Sequence, residues 1–70
     1  MGRRKLNNEE LKELGEKIRV VRVLRNISQE EFGRNVGGYA GNQVCMWEKG
    51  KQQPSALALI NIIKKYGLEV

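Results

Sequence analysis

The side chains best suited to chemistry in this chain are carboxamides and cations, not nucleophiles. Between the double glycine Gly37-Gly38 and Gly50 lie Gly41, Asn42, Gln43 and Met46. A carboxamide both donates to and accepts from an adenine edge, and a methionine methyl suits a thymine methyl. Lys49, Lys51 and Gln52 follow closely, with side chains suited to phosphate oxygens. Histidine is absent and Cys45 is the single cysteine. A zinc finger, a histidine-based triad, a haem histidine and a disulfide framework therefore all lack their residues. Cys45 reads as a small hydrophobe beside core residues, because no second cysteine exists to resolve an oxidised form. The run Gly37 to Gly41 has no strand before it. Gly50-Lys51 lacks both the upstream glycine and the following Ser or Thr of a P-loop, so nucleotide binding is rejected. The expectation is a protein that is not an enzyme and takes no cofactor and no metal.

Helices must position these groups. Asn7 as N-cap, Glu10 returning the bond, and a Leu6–Leu11 staple start the first helix, which runs roughly from Asn8 to Arg25. Its apolar stripe is Leu11, Leu14, Ile18 and Val21, with Val20 and Leu24 beside it. Ser28 caps a second helix starting at Gln29, with Glu31 as the reciprocal acid; Phe32 and Val36 are its apolar contacts and Gly37-Gly38 its stop. Gly33 inside it disfavours helix by about 1 kcal/mol relative to Ala, which predicts another backbone close by. Gly41 to Lys49 is a third short helix anchored by Val44 and Trp47 and ended by Gly50. Ser55 caps a last helix from Ala56 to about Tyr66, closed by Gly67. No strand pattern and no internal repeat occurs. The fold class is all-α, a compact bundle of four helices or five.

Seventy residues make one domain, since chains of this size bury only about 60% of their unfolded surface. Residues 1–7 read as a flexible basic arm carrying Arg3, Arg4 and Lys5, and residues 8–70 as the folded domain. Thirteen Lys+Arg against eight Asp+Glu leave a net charge of +5, which favours a polyanionic partner. The longest apolar stretch, Ala56 to Ile63, falls far short of the roughly 20 residues of a membrane span, and no signal-peptide core follows the start. A soluble, cytoplasmic protein without a membrane partner is expected. Neither long helix combines a continuous cationic face with an aromatic and leucine face, which disfavours a membrane-surface binder.

Two short helices joined by a tight glycine-containing turn form the arrangement of a helix-turn-helix. The run Leu14 to Arg19, then Arg22, Ile27 to Gly33, Val44, Trp47 to Gly50 and Pro54-Ser55 resembles the phage lambda repressor-like (Xre-type) helix-turn-helix family over roughly Glu10 to Leu68. The resemblance implies that Gln29 contacts a backbone phosphate and that a small residue at Gly33 lets the motif helices cross. It also implies a structural salt bridge between Arg22 and Glu48. Base-reading positions correspond to Gly41, Asn42, Gln43 and Met46, and the loop after the third helix, with Lys51 and Gln52, meets phosphates.

The chain departs from the family pattern in three respects. Gln29 to Gly50 is one residue longer than usual, in the turn Gly37 to Ala40. Ala40 or Gly41 stands where Ser or Thr usually caps the third helix. Many relatives carry a fifth helix that helps them dimerise, whereas this sequence stops at Val70.

The expected function is a sequence-specific double-stranded DNA-binding transcriptional regulator, a repressor, acting as a homodimer on DNA. Arg3, Arg4 and Lys5 are expected to give an arm contact with phosphate. The last helix holds more apolar residues than one face can hide, and Leu57 and Ile60, with Leu68 nearby, are the expected subunit interface. The alternative is a protein-interaction module of the same fold, of antitoxin or coactivator-bridging type, binding a protein partner through the last helix.

Overall fold

The computed structural model describes residues 5–68. They form four helices in the order α1 (Asn8–Leu24), α2 (Gln29–Asn35), α3 (Gly41–Glu48) and α4 (Ala56–Tyr66), with no strand among the described residues.

Local chemistry sets each boundary. Asn7 Oδ1 accepts from the Glu10 amide at 2.9 Å, and Glu10 Oε1 accepts from the Asn7 amide at 3.1 Å, so the capping box of α1 is complete. Leu6, assigned to the arm by sequence, is also held: its amide donates to Gln53 Oε1 at 3.0 Å. The ordered domain therefore begins before Asn8, while Arg3 and Arg4 lie outside the described residues. At the other end α1 stops at Leu24, with Arg25 as its cap and Asn26 in the left-handed region. Asparagine tolerates that conformation better than other residues bearing a side chain. Ser28 Oγ accepts from the Glu31 amide at 3.1 Å to start α2. The reciprocal bond expected of Glu31 does not form; its side chain is exposed. Ser55 and Gly67 bracket α4 as the sequence predicts, the former through Oγ to the Ala58 amide.

The core consists of Ile18, Phe32, Val36, Val44, Trp47, Ala58, Ile62 and Leu68. Each large apolar side chain removed from water here contributes about 1.5–3 kcal/mol. Phe32 stacks on Tyr66 at 5.1 Å between ring centroids, and Tyr39 meets Trp47 edge to face at 5.0 Å. Asn61 Nδ2 donates to the Val36 carbonyl at 2.8 Å, satisfying an acceptor left open at the end of α2.

Two glycines let backbones approach. A Cβ on Gly15 would collide with the Trp47 carbonyl, so α1 lies directly on the last turn of α3. A Cβ on Gly33 would collide with the Tyr39 carbonyl and press on Val44. The Gly33 carbonyl also accepts from the amides of Gly38 and Tyr39 at 3.0 and 2.9 Å. The turn thus folds back over α2, with Gly37 and Gly38 at positive φ.

Leu68, expected at a subunit interface, is instead a core residue at 7% exposure. It follows Gly67, whose left-handed conformation turns the chain back onto the bundle. Leu57 and Ile60 remain exposed, as does Ile63.

Candidate nucleic-acid interface

Helix α3 is short, and one side of it is fixed. Val44 is completely buried and Trp47 is 2% exposed, so rotation of α3 about its axis would empty the core. The opposite side carries Asn42, Met46 and Lys49, all exposed and separated by four and three residues. That spacing puts them on one helical face. Gln43 is half-buried beside them. Neither Asn42 nor Gln43 makes a side-chain hydrogen bond among the described residues, so both amides keep their donors and acceptors free.

Gly41 behaves differently from the expectation of a base reader. A Cβ there would lie 2.8 Å from Glu30 Cγ and 3.1 Å from the Glu30 backbone nitrogen. The position faces α2, has no side chain to offer, and serves to seat the first turn of α3 against α2. Ala40 caps α3 with extended backbone and makes no side-chain bond.

Glu48 ties three elements together. Arg22 Nε donates to Glu48 Oε2 at 2.6 Å and Arg22 Nη2 to Oε1 at 3.2 Å. Arg22 Nη1 donates to the Ile27 carbonyl at 2.9 Å, which closes the link between α1 and α2. The side chains are 16% and 5% exposed. The hydrogen bonds with Glu48 raise the Arg22 guanidinium above its ordinary pKa, against the opposing effect of burial.

Sequence reasoning missed one member of this network. Gln29 Nε2 donates to Glu48 Oε1 at 3.1 Å. One of the two amide hydrogens of Gln29 is therefore engaged inside the protein, and the other is not used in that bond. A Gln and a Glu 19 positions apart give no periodic signal, so only the crossing of α2 and α3 shows the pairing. A cleft between the starts of these helices is lined by Ser28, Gln29, Glu30, Ala40, Gly41 and Asn42.

Past α3, Gly50 takes a left-handed conformation, and the exposed side chains of Lys51 and Gln52 follow it. Lys5 is exposed at the other side of the Leu6–Gln53 bond. Cys45 is half-buried on α3 as a free thiol. Among the described residues no group of His, Cys, Asp and Glu could hold a metal ion, and no helix is long and apolar enough to cross a membrane.

A family model described as helix-turn-helix matches residues 16–70. No curated protein and no solved structure matches the chain.

Proposed function

Because the chain belongs to the lambda repressor-like (Xre-type) helix-turn-helix family of DNA-binding domains, we propose that it is a sequence-specific transcriptional regulator, a repressor, without enzymatic activity. It reads the major groove of double-stranded DNA with α3. One observation carries this reading: the carboxamides of Asn42 and Gln43 are unengaged on a helix whose other face is locked by Val44 and Trp47. A rigid rod with free amides is what discrimination between base edges requires.

In this reading Asn42 and Gln43 contact base edges and Met46 packs on a thymine methyl. Gln29, Lys49, Lys51 and Gln52 hold phosphates, and Arg3, Arg4 and Lys5 add an arm contact. Gly41 is left out of the readers because its position faces Glu30. A domain this small reads few base pairs, so two copies bind half-sites about 10 bp apart around a two-fold axis. Leu57, Ile60 and Ile63, each at least half exposed on α4, form the pairing surface. The site of action is the cytoplasm.

Selection of bound duplexes from a random pool tests this reading. A sequence preference should emerge, and Asn42→Ala and Gln43→Ala should each relax it at one or two positions, by about 1–3 kcal/mol per lost bidentate pair. Unaltered preference in both variants would refute the assignment of readers.

The exposed apolar residues of α4 also suit a protein-interaction module, of antitoxin or coactivator-bridging type. A salt titration separates the two. A regulator shows steep salt dependence plus an excess affinity for the selected duplex, whereas a bridging module shows only weak, sequence-blind attraction.

A further inference from the structure

The helix α1 begins eight residues before the stretch that matches the family, at Asn8 rather than Glu16. Those added turns do more than lengthen a scaffold. Lys12, which sequence reasoning left unassigned, packs its backbone against Gly50: a Cβ at Gly50 would lie 3.0 Å from Lys12 Cα and 3.1 Å from its nitrogen. Asn8, Lys12, Lys49, Gly50 and Lys51 line an open cleft of about 310 Å³ at this contact.

Three lysines from three segments converge there: Lys12 from α1, Lys49 from the cap of α3, and Lys51 from the loop beyond. All three are exposed, and none forms an ion pair among the described residues. The close approach of Lys12 requires Gly50 in its left-handed conformation, and the Leu6–Gln53 bond ties the start of α1 to the loop beyond it. Glu9 and Glu16 lie one turn to either side of Lys12 on α1 but form no ion pair with it among the described residues, so the three ammonium groups stay available to an anion.

We propose that this cleft is a phosphate-binding site, in which Lys12 joins Lys49 and Lys51 on one backbone phosphate of double-stranded DNA. The inference rests on the DNA-binding reading above and extends it to a residue outside the family-matched segment. Geometry supports the source of the phosphate. The eight residues of α3 span about 12 Å at 1.5 Å per residue, comparable with the roughly 12 Å width of the major groove. The Gln29 cleft lies at one end of that rod and the lysine cleft at the other. The lysine cleft therefore sits at the end of the helix whose exposed face carries Asn42 and Met46, where a duplex seated on that face presents its backbone.

The test measures duplex affinity over a salt series for the wild-type chain, Lys12→Ala, Lys12→Arg, and Lys65→Ala as a control for net charge on exposed α4. Loss of one phosphate contact lowers the slope of log affinity against log salt by about 0.9. The ratio of wild-type to Lys12→Ala affinity should therefore shrink about 3.5-fold between 50 and 200 mM salt, by about the same factor for every duplex. Lys12→Arg and Lys65→Ala should keep the wild-type slope. A Lys12→Ala slope equal to wild type, or an equal loss in Lys65→Ala, would overturn the cleft while leaving the DNA-binding reading intact. A wild-type chain with no salt-dependent duplex affinity would instead overturn both.

Discussion

Glu48 is the residue on which the interface is aligned. It accepts from two nitrogens of Arg22 and one of Gln29, and so joins α1, α2 and α3 through one carboxylate that is 5% exposed. Its removal leaves a half-buried guanidinium with only the Ile27 carbonyl as partner, which typically destabilises by about 1.5–3 kcal/mol for a lost charge-assisted hydrogen-bond pair. Chemical denaturation of Glu48→Ala should show a loss in that range, whereas Arg22→Met combined with Glu48→Leu should be close to neutral. Similar losses in the single and double variants would argue that shape, not charge pairing, matters there. The raised pKa of Arg22 fixes a sign as well. Its stabilising contribution is fully present below the ordinary arginine value and is lost only as pH rises through the still higher folded-state value. With no histidine in the chain, duplex affinity should also stay flat between about pH 6 and pH 8. A titration step in that window would refute this expectation.

Among the elements, α3 is the least well started and the most tightly seated. Ala40 already has the extended backbone of an N-cap, φ −69° and ψ 151°, but supplies no acceptor. Ala40→Ser should therefore stabilise the fold by about 1 kcal/mol in denaturant melts, the usual value of a side-chain cap. No gain would mean that the orphan amides are already satisfied another way. The seating of α3 gives an opposite expectation at Gly15. Helix propensity alone would make Gly15→Ala stabilising by about 1 kcal/mol. The collision of a Cβ with the Trp47 carbonyl reverses the sign, and a net loss of about 1–3 kcal/mol is expected, as for other overpacked sites. A melting temperature raised by Gly15→Ala would show that α1 and α3 move apart without penalty.

At the scale of the whole molecule, exposed apolar side chains lie on α1, at Val20, Val23 and Leu24, as well as on α4. Lysines and free amides lie along α3 and its flanks, while Leu57, Ile60 and Ile63 leave an apolar strip on α4. Ile60→Asp should leave the melting transition nearly unchanged, because the side chain is half exposed. It should abolish dimers in sedimentation and weaken binding to a duplex with two half-sites much more than to one with a single half-site. Equal weakening on both duplexes would remove α4 from the pairing surface.

Helix starts and stops were legible from sequence because they depend on neighbours: Asn7 with Glu10, Ser28 with the Glu31 amide, Ser55 with the Ala58 amide. The anchoring side of α3 was legible for a related reason, since Val44 and Trp47 stand three residues apart, within one helical turn. Side-chain partners far apart in the chain were not. Lys12 at Gly50, Gln29 on Glu48, the burial of Leu68 and the approach of Gly41 to Glu30 each depend on how the helices cross. Crossing is decided by the packing of whole faces, and a periodic pattern specifies which face is apolar without specifying what it meets. The four elements and their apolar faces were therefore determined by sequence alone, whereas the convergence of three lysines at the C-terminal end of α3 and the pairing of Gln29 with Glu48 were decided by tertiary structure.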